Sequence, residues 1–75
     1  MQYDEEKLEY KLKSLQIQEN ALLEERSSIL YDIEEAKRNK ENTKTLQEQL
    51  RENTSNLKEI KKQIRQAYKD YRNVN

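Results

Sequence analysis

Apolar residues recur along most of the chain at intervals of three and four, the spacing of one face of an α-helix. One series runs from Leu8 to Ala36 and a second runs from Leu46 to Val74. The step from Ala36 to Leu46 is ten residues, a heptad plus three, so the phase of the apolar stripe shifts there. A straight helix drifts in the opposite direction and would need local overwinding to join the two series. The pattern therefore predicts two helices separated by a break.

The residues between the two series favour the same break. Asn39, Asn42 and Thr43 are poor helix-interior residues, because their side chains compete for backbone hydrogen bonds. The segment from Thr45 to Glu48 matches the capping box that opens many helices. We therefore predict that the first helix ends before this segment and that the second begins with it.

The predicted fold is all-α, an antiparallel two-helix coiled-coil hairpin that forms a single unit over residues 1–75. Its helices span 4–38 and 45–73, and its turn spans 39–44. The pairing of the helices places Arg26 beside Asn53, so that two polar residues share one layer of the seam. The predicted seam residues are Leu8, Leu12, Leu15, Leu22, Ile29, Ile33, Leu46, Leu50, Leu57, Ile60, Ile64 and Tyr71.

Charge supports the antiparallel arrangement. Residues 1–36 contain four basic and ten acidic residues, a net charge of −6, whereas residues 37–75 contain eleven basic and five acidic residues, a net charge of +6. Folding the second half back on the first brings opposite net charges together, whereas a parallel dimer in register places like charges next to each other. The alternative fold is one continuous long helix in a parallel coiled-coil dimer, because a row from Leu8 to Tyr71 recurs every seven residues.

Two surfaces outside the seam are candidates for binding. Apolar side chains recur on the back of the first helix, at the heptad position that usually faces solvent, and form a candidate outer partner face. Isolated exposed tyrosines also tolerate water, which is the competing interpretation. The residues of this face are Tyr3, Tyr10, Ile17 and Tyr31.

The second candidate surface is a basic patch on the second helix, near two tyrosines, that suits phosphate contact and base stacking. Glu59 and Asp70 interrupt it, so a solvated or internally paired surface is the more economical interpretation. Its residues are Lys58, Lys61, Lys62, Arg65, Lys69 and Arg72.

Composition limits the chemistry that the chain can perform. Cys, His and Gly are absent, so the sequence offers no thiol nucleophile, no imidazole base and no glycine-rich phosphate loop. We expect no catalytic, cofactor or metal site, no small-molecule substrate and no membrane partner. No apolar run is long enough to cross a bilayer, so we expect a soluble intracellular protein, cytoplasmic by default.

The sequence thus favours a non-enzymatic structural or adaptor protein. It would act by coiled-coil packing, either as a homo-oligomer or as a subunit of a larger protein assembly. Two alternatives stay open. One is a parallel coiled-coil spacer or filament segment, and the other is a small hairpin that binds nucleic acid through its basic second half.

Overall fold

The computed structural model describes residues 5–74, with side chains from 6 to 73. Helix α1 spans Glu5–Arg38 and helix α2 spans Lys44–Val74. The two helices pack along their length as an antiparallel hairpin about 61 Å long. The predicted all-α hairpin is therefore the fold of the chain. The alternative of one continuous helix is wrong, because the backbone reverses direction between residues 39 and 43.

The bend begins with a Schellman motif at the end of α1. Lys40 adopts a left-handed conformation with φ 57°. Its amide donates to the carbonyl of Lys37 at 3.1 Å, and the amide of Glu41 donates to the carbonyl of Ala36 at 2.7 Å. These bonds satisfy carbonyls that the helix end would otherwise leave unpaired. The left-handed position usually belongs to glycine, but this chain contains none and uses a lysine.

The start of α2 lies one residue earlier than predicted. The carbonyl of Thr43 accepts the first helical hydrogen bond, from the amide of Gln47, at 2.9 Å. Asn42 Oδ1 accepts from the amide of Lys44 at 2.8 Å, so a side chain satisfies one free amide of the first turn. Thr45 and the rest of the predicted capping box lie inside the helix. The helix therefore begins after Thr43 rather than at Thr45, and the side chain of the preceding Asn42 supplies the cap.

The core is the seam between the helices. Leucines and isoleucines fill most of it, and the small side chain of Ala67 packs against Leu12 and Leu15. Six of the predicted seam residues are only half-buried, because two helices alone cover one another incompletely. These six are Leu22, Leu46, Leu50, Ile60, Ile64 and Tyr71. The buried apolar side chains are Leu8, Leu12, Leu15, Ile29, Ile33, Ala36, Leu57 and Ala67.

Candidate functional site

A polar layer crosses the middle of the seam. Asn53 is fully buried, at 0% exposure. Its Nδ2 donates to the carbonyl of Leu22 at 2.9 Å and to Glu25 Oε1 at 3.3 Å. The predicted neighbour Arg26 donates instead to the hydroxyl of Thr54, the next residue, at 2.7 Å. Asn53 Oδ1 has no hydrogen-bond partner among the described residues, which is expected to cost stability. We expect the layer to favour one alignment of the helices, because a buried polar residue in a seam restricts the register.

The outer partner face lies on the back of α1. Tyr10 is 78% exposed, Ile17 is 63% exposed and Tyr31 is 66% exposed. Neighbouring members recur after seven or fourteen residues, so they line one side of the helix, about 10 Å or 21 Å apart along its axis at the 1.5 Å rise. Tyr3, the fourth predicted member, lies outside the described residues. The three described side chains contribute nothing to the seam and are available to another molecule.

A second apolar surface, which we call the groove face, lies on one long side of the hairpin. It is the side on which Gln16 Nε2 donates to the hydroxyl of Tyr68 at 3.4 Å. Leu23, Leu30 and Tyr68 project there and are 42%, 44% and 47% exposed. The sequence indicates part of this surface, because Leu23 and Leu30 are seven residues apart beside the seam and widen the apolar stripe of α1 on one side.

Two shallow depressions form the floor of the groove face. One contains Leu30, Ile33 and Leu50, and polar side chains complete its lining: Glu34, Lys37, Gln47, Arg51 and Thr54. The other contains Ile64 and Tyr68, with Gln16, Glu19, Lys61 and Arg65 around them. Ile64 lies fourteen residues after Leu50, or four helical turns, so the two depressions open on the same side of α2. The half-buried seam residues of this side are therefore reachable from the groove face.

The opposite long side of the hairpin differs from the groove face in its exposed large side chains. Its depression is lined by Ala21, the half-buried Leu22 and Ile60, and the polar Gln18, Asn56 and Glu59. The large side chains with substantial apolar exposure are all elsewhere in the described part of the molecule. The two long sides therefore differ in that the groove face exposes Leu23, Leu30 and Tyr68.

The basic patch lies along α2. All six of its side chains are exposed. No hydrogen bond or ion pair joins any of them to another described residue. Of the two interpretations given for this patch, a solvated or an internally paired surface, pairing at contact distance is not seen in this part of the chain. These cations are exposed to solvent and accessible to a molecule that approaches α2.

Chemical sites of other kinds were sought in the described residues. No group of three or more acidic side chains there is arranged to hold a metal ion. Neither of the two described helices is long and apolar enough to cross a membrane. What the described part of the molecule offers for binding is a set of helix surfaces, apolar on α1 and basic on α2.

Comparison with known proteins leaves these surfaces as the guide to function. No protein-family model matches the chain, and neither a curated protein nor a solved structure matches it.

Proposed function

We propose that the chain is a non-enzymatic structural or adaptor protein that acts by coiled-coil packing, through self-association or as a subunit of a larger protein assembly. The observation that carries this proposal is the outer partner face, where Tyr10, Ile17 and Tyr31 are each more than 60% exposed. A helix that needed only the hairpin seam would present charged residues at these positions.

The energetics favour a helical partner. Burying one large apolar side chain stabilises a complex by about 1.5–3 kcal/mol. Three such residues in one row match the way an amphipathic helix is bound, through anchors repeated at one or two heptads. Tyrosine also combines a large contact area with few rotatable bonds, which makes it a frequent interface residue.

The test is the native size of the full chain in the cells that produce it. An epitope-tagged chain in a gentle extract should migrate as a complex larger than the 9.2 kDa monomer. The triple substitution Tyr10→Ser, Ile17→Ser and Tyr31→Ser should make it migrate as a smaller species than wild type, because contacts made through the outer partner face are lost. Circular dichroism of the purified variant should show that the hairpin is still formed, since none of the three side chains is in the seam.

A matched control lies one residue further along α1. The substitutions Lys11→Ser, Gln18→Ser and Asp32→Ser have the same spacing and affect exposed polar positions. This control should keep the native size of the complex. A wild-type chain that migrates as a monomer in the extract would refute the proposal, and so would equal behaviour of the two triple variants.

A second candidate function is nucleic-acid binding by the basic patch, favoured by its six exposed and unpaired cations. Contacts to about six phosphates would make affinity fall roughly 1,000-fold or more between 50 and 200 mM salt. Fluorescence anisotropy with a labelled single-stranded RNA and a DNA duplex tests this directly. Lack of binding at 50 mM salt removes the candidate and leaves the first proposal untouched.

A further inference from the structure

The groove face is a second surface that the hairpin leaves uncovered. Its residues on α1 occupy a different heptad position from those of the outer partner face. Leu23 and Leu30 stand next to the seam rather than behind it. Helices of a two-stranded coiled coil need only two apolar positions per heptad, whereas helices in a bundle core add a third beside the seam. Helix α1 has this wider stripe over its central part, which is typical of a helix packed by more than one neighbour.

The exposed area of the hairpin indicates how much surface remains to be covered. The chain exposes 6344 Å². A compact monomer of the same mass exposes about 4,900 Å², so the hairpin exceeds that value by about 1,400 Å². A standard protein interface buries about 800 Å² on each partner. One further contact of ordinary size per chain would therefore account for most of the excess.

Charge distinguishes between the two ways in which a second copy can cover the groove face. If α2 packs on the second copy's α2, a row of exposed cations meets its own copy. This row is Arg51, Lys58, Arg65 and Arg72, each seven residues from the next. If α1 packs on the second copy's α2 instead, a helix of net charge −3 meets a helix of net charge +4. Only the second arrangement brings opposite charges together.

We propose that the groove face binds a second copy of this chain, forming a four-helix bundle in which each α1 packs antiparallel on the other copy's α2. The two-fold axis then runs along the hairpin, and both bends lie at the same end. Leu23, Leu30 and Tyr68 enter the bundle core above the half-buried Leu50 and Ile64. This inference rests on the proposed function, since it names the partner for one of the surfaces through which the chain acts.

Sedimentation equilibrium of the purified full chain tests the partner. The mass should be twice 9.2 kDa at high concentration. The double substitution Leu23→Glu and Leu30→Glu should raise the dissociation constant at least about 100-fold, tenfold or more for each leucine. Circular dichroism at matched concentration should confirm that the variant is still helical. If it dimerises as tightly as wild type, the assignment of the groove face is refuted.

The control for added charge lies on the same helix, on the long side opposite the groove face. The substitutions Ala21→Glu and Ser28→Glu have the same seven-residue spacing and add the same charge at exposed positions. This variant should remain dimeric, and its dissociation to the same extent as the groove-face variant would overturn the proposal.

The orientation is tested with one spin label per chain at Glu41→Cys, an exposed site at the bend of a cysteine-free protein. Bends at the same end give a label separation of about 20–30 Å, set by helix spacings of 8–10 Å plus the label arms. Bends at opposite ends give a separation near the 61 Å length of the hairpin and would refute the charge argument.

The failure of this inference can be told apart from failure of the proposed function. A purified chain that stays monomeric and helical at millimolar concentration refutes the second copy as partner. If that chain still migrates in a large complex in the cell extract, the partner is a different protein and the proposed function stands. If it is monomeric in both, both are refuted.

Discussion

Helix α1 carries large apolar side chains on several sides, whereas α2 keeps nearly all of its own within the seam. Tyr10, Ile17 and Tyr31 are exposed on the back of α1, and Leu23 and Leu30 are exposed beside the seam. Among the described residues of α2, the large apolar side chain with comparable exposure is Tyr68, at 47%. The outer surface of α2 is instead lined with cations. The helices share one seam and present opposite chemistry to the surroundings.

This difference assigns a separate task to each helix. Apart from Tyr68, the large apolar side chains of α2 in the described residues all lie at the seam, although most are only half-buried. The sequence of α2 thus specifies the fold and the charge of one side. The stripe of α1 exceeds what one neighbour can cover, and we propose that it also specifies contacts with other molecules. If the comparison is right, apolar substitutions in α1 fall into two classes, one that affects folding and one that affects assembly.

The largest expected effect separates these two classes within α1. Leu15 is 5% exposed and Ile17, two residues later, is 63% exposed. At a concentration where the chain is monomeric, Leu15→Ala should lower the free energy of unfolding by about 2–5 kcal/mol, because it removes buried methyl groups and leaves a cavity. Ile17→Ala should change it by less than about 0.5 kcal/mol. Urea denaturation followed by circular dichroism measures both, and equal losses would break the comparison.

The second prediction concerns the polar layer that α2 contributes to the seam. Asn53→Leu removes a buried oxygen that has no partner, so the free energy of unfolding should rise by about 1–2 kcal/mol. The same change removes the bond to the carbonyl of Leu22 and should weaken the preference for one register. Spin labels at the exposed Lys7 and Asn73 should therefore report a broader distance distribution than in the parent chain.

The control for this change is Asn56→Leu, which introduces the same side chain at an exposed position three residues along α2. It should leave both the stability and the width of the distribution nearly unchanged. If Asn53→Leu instead destabilises the hairpin, the hydrogen bonds of Asn53 contribute more than its unpaired oxygen costs.

Helix α2 shows why the fold could be predicted from sequence. Its apolar residues keep one heptad phase from Leu46 to Tyr71, and that phase cannot be joined to the series ending at Ala36 without a break. Opposite charges on the two halves then favour folding back. Spacing and charge are properties of the sequence alone, so they indicate a hairpin before any contact is known.

The candidate surfaces were only partly predictable. The outer partner face follows from spacing, because its members lie opposite the seam whatever the details of packing. The groove face follows only in part. The spacing of Leu23 and Leu30 indicates a wider stripe on one side of α1, but their exposure and the position of Tyr68 beside them depend on the crossing angle and stagger of the helices. The burial of Asn53 likewise depends on which carbonyl of α1 lies within its reach. A heptad assignment gives the position of a residue but not the distance to its neighbour.

The two helices also differ at the bend, in how α1 ends and α2 begins. The position of the bend could be predicted from the sequence, but its hydrogen bonds could not. Helix α1 ends on backbone hydrogen bonds that need the left-handed Lys40. Lys40→Gly should raise the free energy of unfolding by about 1 kcal/mol, since glycine adopts this conformation without steric conflict. Asn39 precedes Lys40 and has no positive φ, so Asn39→Gly should give no gain. Thermal denaturation followed by circular dichroism measures both variants. Equal gains from the two substitutions would mean that the stabilisation does not come from relieving the left-handed conformation of Lys40.

Helix α2 begins on a side chain instead, and the smallest predicted effect tests that difference. Asn42→Ala removes the acceptor that lies 2.8 Å from the amide of Lys44, so stability should fall by about 0.5–1 kcal/mol. Asn42→Asp keeps an acceptor and adds a negative charge to a first turn that has no acidic residue, which should restore or exceed the parent stability. If alanine and aspartate had the same effect, the cap would be immaterial. The start of α2 would then be determined by the spacing of its seam residues alone.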